Sequence, residues 1–272
     1  MKARSLFLIF GALLCGSGAH AQLDFGGLAG KVMDSAKDIK KVVKGAAGIG
    51  PEEEKVIGDS VALEIVGKYG GLVREPAIMQ RVNLVGQTLA RYCERPELNW
   101  RFAVLDSDSV NAFSAPDGYV FITRGLYRLA QTDDALAGIL GHEIAHITGR
   151  HALKIVARGE FLTGATNLAA ANNSKVGNIN AQLEKFDTGI GDITKTLFEK
   201  GFDAKTEFAA DQSGHDLAKL TGYAPGGLRG VLAELLQRGG DPQKNFSTHP
   251  PLKERIQRLP DEPAASSTPP AP

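Results

Sequence analysis

The sequence is short of cysteine, of unbalanced charge and of long apolar runs, and each shortage removes a class of protein. It holds 2 cysteines in 272 residues. Cys15 falls in a segment expected to leave on export, so Cys93 remains alone and the mature chain has no internal disulfide even in an oxidising compartment. Lysine and arginine together number 31, as do aspartate and glutamate. With Lys2 and Arg4 removed, 29 basic residues face 31 acidic ones, a net charge of −2 that offers no footprint for nucleic acid. No apolar run of about 18 residues occurs after the N-terminus, so no later segment is long enough to span a bilayer. No internal repeat or change of composition divides the chain, and a mature length of about 250 residues is enough to bury one sizeable core.

The first 21 residues read as a secretory signal peptide. Lys2 and Arg4 form a positive start, Leu6 to Leu14 are almost wholly apolar, and Ala19-His20-Ala21 supplies a small-x-small cleavage site. The mature protein is expected to begin at Gln22, in the periplasm. A membrane anchor is the weaker reading because the apolar run is about ten residues. A lipoprotein anchored at Cys15 is also weaker, since the bulky Leu14 precedes it. Residues 22–50 place Leu28, Val32, Ile39 and Val43 near helical spacing among Lys31, Lys37, Lys40, Lys41 and Lys44. A mobile arm or a helix packed on the body is favoured over peripheral membrane contact.

His142-Glu143-Ile144-Ala145-His146 is the most informative stretch. On an α-helix four residues turn through about 400°, so the two imidazoles share one face roughly 6 Å apart and can close on one metal ion. Glu143, about 100° round the helix, stands beside such a metal as a candidate general base. Leu136, Ile139, Leu140, Ile144 and Ile147 recur at helical intervals, Thr132 or Asp133 can cap the start, and Gly149 can close the turn or let the chain bend. A catalytic zinc site takes three protein ligands. Glu207-Phe208-Ala209-Ala210-Asp211, in a second helix-like run, offers a Glu for the metal and, one turn on, an Asp able to hold the free N–H of a ligand histidine.

These residues make the chain resemble the family-48 zinc metallopeptidases, the gluzincin family that includes the CAAX prenyl endopeptidase and the heat-shock protease HtpX, and within it the soluble periplasmic branch. The resemblance is carried by Asn111-Ala112-Phe113, Gly118 through Leu126, Gly141 through His146, Glu207 through Asp211, and Thr248-His249-Pro250 with Arg255-Ile256, and it spans roughly residues 51–258. It implies an α+β, predominantly helical, zincin-like domain with a small sheet or hairpin beside the active-site helix. It implies one Zn2+ per chain held by His142, His146 and Glu207, with Glu143 as general base and Asp211 behind a ligand histidine. Arg255 matches the family position for an oxyanion donor, Tyr223 being a weaker candidate. The chain lacks the membrane helices of HtpX-like members and the tetratricopeptide array of other periplasmic members, so it resembles the catalytic domain standing alone.

The remaining elements follow from local pattern. Pro51-Glu52-Glu53-Glu54 starts a helix that Gly70-Gly71 ends. Ile78, Val82, Val85, Leu89 and Tyr92 mark the next. Trp100, Phe102 and Val104 alternate as a strand, and Ala115-Pro116-Asp117-Gly118 turns between Asn111–Phe113 and Tyr119–Thr123, a hairpin expected to run directly into the active-site helix. Its edge would let an extended peptide add by main-chain hydrogen bonds, or it is a structural hairpin only. Residues 159–203 read equally as a lid over the cleft or a plain insertion. A last helix lies around Leu228 to Leu236, and 259–272, rich in proline and small residues, reads as a disordered tail.

Other histidines need separate assignment. His151, about 140° off the direction of His146 on a continuous helix, reads as structural. His215 shares the face of Glu207 and Asp211 and reads as solvated or supporting. His249, in a stiff loop six residues before Arg255, can occupy the fourth zinc position and hold the enzyme latent, bond the oxyanion, or merely anchor its loop; latency is the reading adopted. The sequence thus points to an exported zinc endopeptidase, and the resemblance implies unfolded or misassembled envelope proteins as its substrates. The competing class is a chaperone-like binding protein with a latent or blocked zinc site, against which an intact Glu143 argues.

Overall fold

The computed structural model describes residues 49–155, 189–239 and 249–262. The signal peptide at 1–21, nearly all of the arm, residues 159–188 of the lid or insertion, Thr248 and the tail from 263 lie outside the described residues.

Helix α1, Pro51–Lys68, begins as its composition demands, with proline in the first turn and Glu52, Glu53 and Glu54 at the positive end of the dipole. The Gly50 N–H donates to Glu53 Oε2 at 2.8 Å. Helix α2 runs Pro76–Ala90 and buries Val82, Val85 and Leu89. Tyr92, expected to extend that apolar stripe, falls beyond the helix end and is exposed, because the chain has already turned at Arg91.

Three strands follow: β1 (Arg101–Leu105), β2 (Ala112–Ala115) and β3 (Tyr119–Thr123). They order as β1-β3-β2, with β1 parallel to β3 and β2 antiparallel to it, Phe113 opposite Phe121 and Phe102 opposite Val120. Both faces of the sheet are covered. Trp100, Phe102, Val104, Val120 and Ile122 join a core with α2 and the active-site helix, while Ala103, Leu105, Phe113, Tyr119 and Phe121 join a second core with Ile57, Val61 and Ile65 of α1 and with Ile190, Ile193 and Leu197.

The hairpin does not run directly into the active-site helix. A short helix α3, Arg124–Leu129, intervenes, capped by the Thr123 hydroxyl, which accepts from the Leu126 N–H. Helix α4, Asp133–Thr148, is capped by Thr132, whose hydroxyl accepts from the Ala135 N–H, and every residue from Leu136 to Ile147 is buried. It is the central helix of the domain. A core substitution such as Leu140→Ala there is expected to cost about 2–5 kcal/mol. One π turn, Thr196–Lys200, ends at Gly201 and leads into α5, Ala204–Leu220, capped by the Asp203 carboxylate accepting from the Thr206 N–H. Helix α6, Gly227–Gln237, packs on α4, with Leu228 against Gly138, and α7, Leu252–Arg258, packs against α6.

The folded body reaches past the expected boundary at 258. Leu259 is buried, Asp261 pairs with Arg229, and Glu262 accepts from Lys219 at 2.9 Å. The domain is therefore predominantly helical with a small three-stranded sheet, and among the described residues no helix is long and apolar enough to cross a membrane.

Candidate metal centre and active site

Helices α4 and α5 supply the centre. Their axes approach because Gly214 faces His142: a Cβ on Gly214 would stand 2.6 Å from the His142 backbone nitrogen, closer than any side chain could be accommodated without a shift. That approach sets Glu207, in the first turn of α5, against His142 and His146 of α4.

The two Nε2 atoms lie 3.1 Å apart. Glu207 Oε2 is 3.6 Å from His142 Nε2, and Glu207 Oε1 is 3.7 Å from His146 Nε2. Four-coordinate zinc with bonds of about 2.0–2.1 Å needs ligand atoms about 3.3–3.4 Å apart, so these three edges fit a single ion. Oε1 of Glu207 is buried without a hydrogen-bond partner, an acceptor whose burial is costly until something positive meets it. Buried nitrogen and oxygen ligand atoms that converge in this way could hold a metal ion, and His142, His146 and Glu207 are the residues able to do so.

Each ligand is held from behind. His142 Nδ1 lies 2.8 Å from Asp211 Oδ1. Asp211 in turn accepts two hydrogen bonds from Arg255, Nε to Oδ2 at 2.9 Å and Nη2 to Oδ1 at 2.6 Å. Burial alone would raise the Asp211 carboxyl, but the bonds from Arg255 and His142 outweigh it and hold the group below the usual carboxylate range. Burial likewise lowers His142 while Asp211 raises it, and Asp211 wins. Sequence reasoning gives Arg255 to the oxyanion. The structure gives two of its nitrogens to Asp211, so it positions Asp211 and, through it, His142. Tyr223 is not brought to the centre; its hydroxyl is beside Thr88 of α2.

Glu143 is buried between His142 and the sheet, with Ser114 of β2 close enough to hydrogen-bond it. Burial, more than any neighbour, pushes its carboxyl upward, which suits a group that must take a proton and release it. His249 enters from the loop before α7 and places Nδ1 2.5 Å from Glu207 Oε2, its ring 5.6 Å from that of His142. Burial would raise the Glu207 carboxyl, but His249 lowers it below the ordinary value.

Three residues near the centre were not assigned there from sequence. Ser114 comes from the edge strand. Phe202 stacks on His146 with centroids 4.6 Å apart and planes at 21°. His151 places Nδ1 2.9 Å from His146 Nδ1. The angular argument that sent His151 away assumes a continuous helix, but α4 ends at Thr148 and Arg150 takes φ +52°, which folds His151 back. Its sequence signal was Gly149, where the helix was expected to stop or bend. His215, by contrast, faces Asp216 and Glu262 and not the metal ligands.

Comparison with known proteins places the chain among metalloproteases. The family model of peptidase family M48 matches residues 76–262. The chain is similar to the beta-barrel assembly-enhancing protease of Escherichia coli (strain K12), 24% identical over 204 residues that cover 73% of this chain and 40% of the relative. It is similar to the metalloprotease LoiP of the same strain, 24% identical over 221 residues covering 81% and 84%. It is also similar to the mitochondrial metalloendopeptidase OMA1 of Schizosaccharomyces pombe, 26% identical over 212 residues covering 76% and 60%. The chain thus spans less than half the length of the beta-barrel assembly-enhancing protease.

Proposed function

The chain belongs to peptidase family M48 and carries its metallopeptidase domain, and from that premise we propose that it is a zinc-dependent endopeptidase of the periplasm that hydrolyses peptide bonds in unfolded or misassembled envelope proteins. The observation that carries the reading is the convergence of His142 Nε2, His146 Nε2 and the Glu207 carboxylate around one point, with the buried Glu143 beside it and outside the ligand set. A structural zinc site has no use for such a base.

When bound, zinc polarises the scissile carbonyl and makes a water acidic enough to ionise near neutral pH. Glu143 accepts that water's proton and returns it to the leaving amine, burial raising the carboxyl's affinity for the proton it takes up. Asp211 and Arg255 keep His142 turned with Nε2 toward the metal. Strand β2 pairs with β3 through one edge only among the described residues, and Ser114 lies on it beside Glu143. A substrate segment without structure of its own can add to the other edge by main-chain hydrogen bonds, which favours unfolded chains over any one sequence. The signal-like N-terminus and the name of the beta-barrel assembly-enhancing relative support an envelope substrate.

A second reading has specific observations in its favour. His249 sits on Glu207, Phe202 covers His146, and the two cavities that border Glu143 measure about 30 and 20 Å3, room for little more than a water. A latent or blocked binding protein would look like this too. Zinc content together with digestion of casein and of an unfolded outer-membrane protein separates the two: one zinc per chain with cleavage lost in Glu143→Gln supports the peptidase, whereas stoichiometric zinc with no cleavage under any condition supports the blocked module.

A further inference from the structure

We propose that His151 is the positioning residue for the metal ligand His146, accepting a hydrogen bond from the Nδ1–H of His146 so that the ring presents the lone pair of Nε2 to the ion. The proposal rests on the metal-site reading given above.

The tautomer argument comes first. A neutral imidazole carries one proton, and a ring that binds metal through Nε2 must carry it on Nδ1. That N–H is buried and needs an acceptor. His142 meets the same need with the Asp211 carboxylate. For His146 the group in place is His151 Nδ1, at 2.9 Å with the rings at 78° to one another. His151 accepts there only with its own proton on Nε2.

The position of His151 is built by residues on the far side of the helix end. Arg150 adopts φ +52°, uncommon outside glycine, and is fixed there by its Nη2, which donates to the Ile49 carbonyl at 2.5 Å and lies 3.3 Å from Glu54 Oε2. Glu54 is buried and accepts two bonds from Arg95, at 2.7 and 3.0 Å. Gly149 leaves the space for the returning ring: a Cβ there would stand 2.4 Å from His151 Nε2. A left-handed arginine held by a buried carboxylate that a second arginine anchors is an expensive way to place a ring that only fills volume.

Three variants separate hydrogen bonding from packing, because Asn places Oδ1 where His carries Nδ1 and Phe keeps the ring without an acceptor. Zinc affinity is measured by chelator competition on His151→Ala, His151→Phe and His151→Asn, each checked for fold by thermal melting of the metal-free protein. His151→Ala and His151→Phe should lose roughly 10–100-fold, and His151→Asn should stay within about threefold of wild type. A Phe variant that holds zinc like wild type, or an Asn variant that falls as far as Ala, overturns the proposal. Nitrogen-15 NMR of the zinc-loaded wild type gives an answer independent of any variant: His146 must be protonated at Nδ1 and coordinated through Nε2, and the opposite tautomer overturns the assignment. A wild-type chain that takes up no zinc overturns the metal-site reading itself, a failure distinct from that of His151.

Discussion

Glu207 Oε2 and His249 Nδ1 lie 2.5 Å apart, the shortest contact in the centre, across 42 residues of sequence. The carboxylate that would hold the metal is therefore also the anchor of the loop before α7. A charge-assisted hydrogen bond of this kind is worth about 1.5–3 kcal/mol, enough to keep a loop over a cleft and weak enough to be released by a substrate.

Removing that contact tests latency. His249→Ala is expected to raise the rate on an unfolded substrate by roughly tenfold, the scale of a lost charge-assisted bond, with bound zinc unchanged. Steady-state cleavage of a denatured fluorescent protein measures it, and a large fall in rate would instead place His249 among the groups that touch the reacting carbonyl.

Glu143→Gln should keep the fold and stoichiometric zinc while lowering proteolysis by about 10²–10⁴-fold, since it removes the base and no ligand. Metal analysis and digestion of the same preparation decide it; near-native cleavage would overturn the mechanism.

Glu207→Ala should abolish tight zinc binding. Asp211→Ala should weaken it by roughly 10–100-fold and also destabilise the protein by about 3–5 kcal/mol, because the buried Arg255 loses its partner. Denaturant unfolding with and without zinc separates the two effects, and a Glu207→Ala protein that binds zinc like wild type would require another third ligand.

Gly214→Ala places a methyl group against the His142 backbone and should push α5 from α4. Overpacking of this kind costs about 1–3 kcal/mol, and the separation of Glu207 from the histidines should lower zinc affinity with it. Unchanged affinity in a folded Gly214→Ala protein would show that the helices can part without moving the ligands.

Tyr119 provides a test of pH dependence away from the metal. Its hydroxyl donates to the buried Asp59 at 2.7 Å, and burial, reinforced by that carboxylate, raises the folded-state phenol above its ordinary value. A group raised in the folded state stabilises fully below its unfolded pKa of about 10 and loses that contribution as pH rises beyond it. Tyr119→Phe should therefore cost roughly 1–3 kcal/mol at pH 7 and flatten the decline of stability above pH 10. Urea titrations at several alkaline pH values check both, and an equally steep decline in the variant would contradict the assignment.

The sequence by itself determined whatever depends on spacing along one element. His142 and His146 share a face because four residues make one turn, Glu207 and Asp211 do so for the same reason, and Thr132 caps α4 because its hydroxyl needs only the local N–H of Ala135. The sheet was less legible: both of its faces are buried, and the parallel pairing of β1 with β3, which leaves β2 at the edge, has no local signal. Tertiary structure alone decided what stands behind and above the ligands. Arg255 reaches Asp211 across 44 residues, His249 reaches Glu207 across 42, and Phe202 reaches His146 through the π turn and Gly201. His151 is the sharpest case, since one left-handed residue at Arg150, held by Glu54 from a helix almost 100 residues earlier, reverses the direction that helical geometry assigns to it. Periodicity fixes angles only within an unbroken helix; beyond a break, the direction of a side chain is set by long-range packing and buried charge pairs.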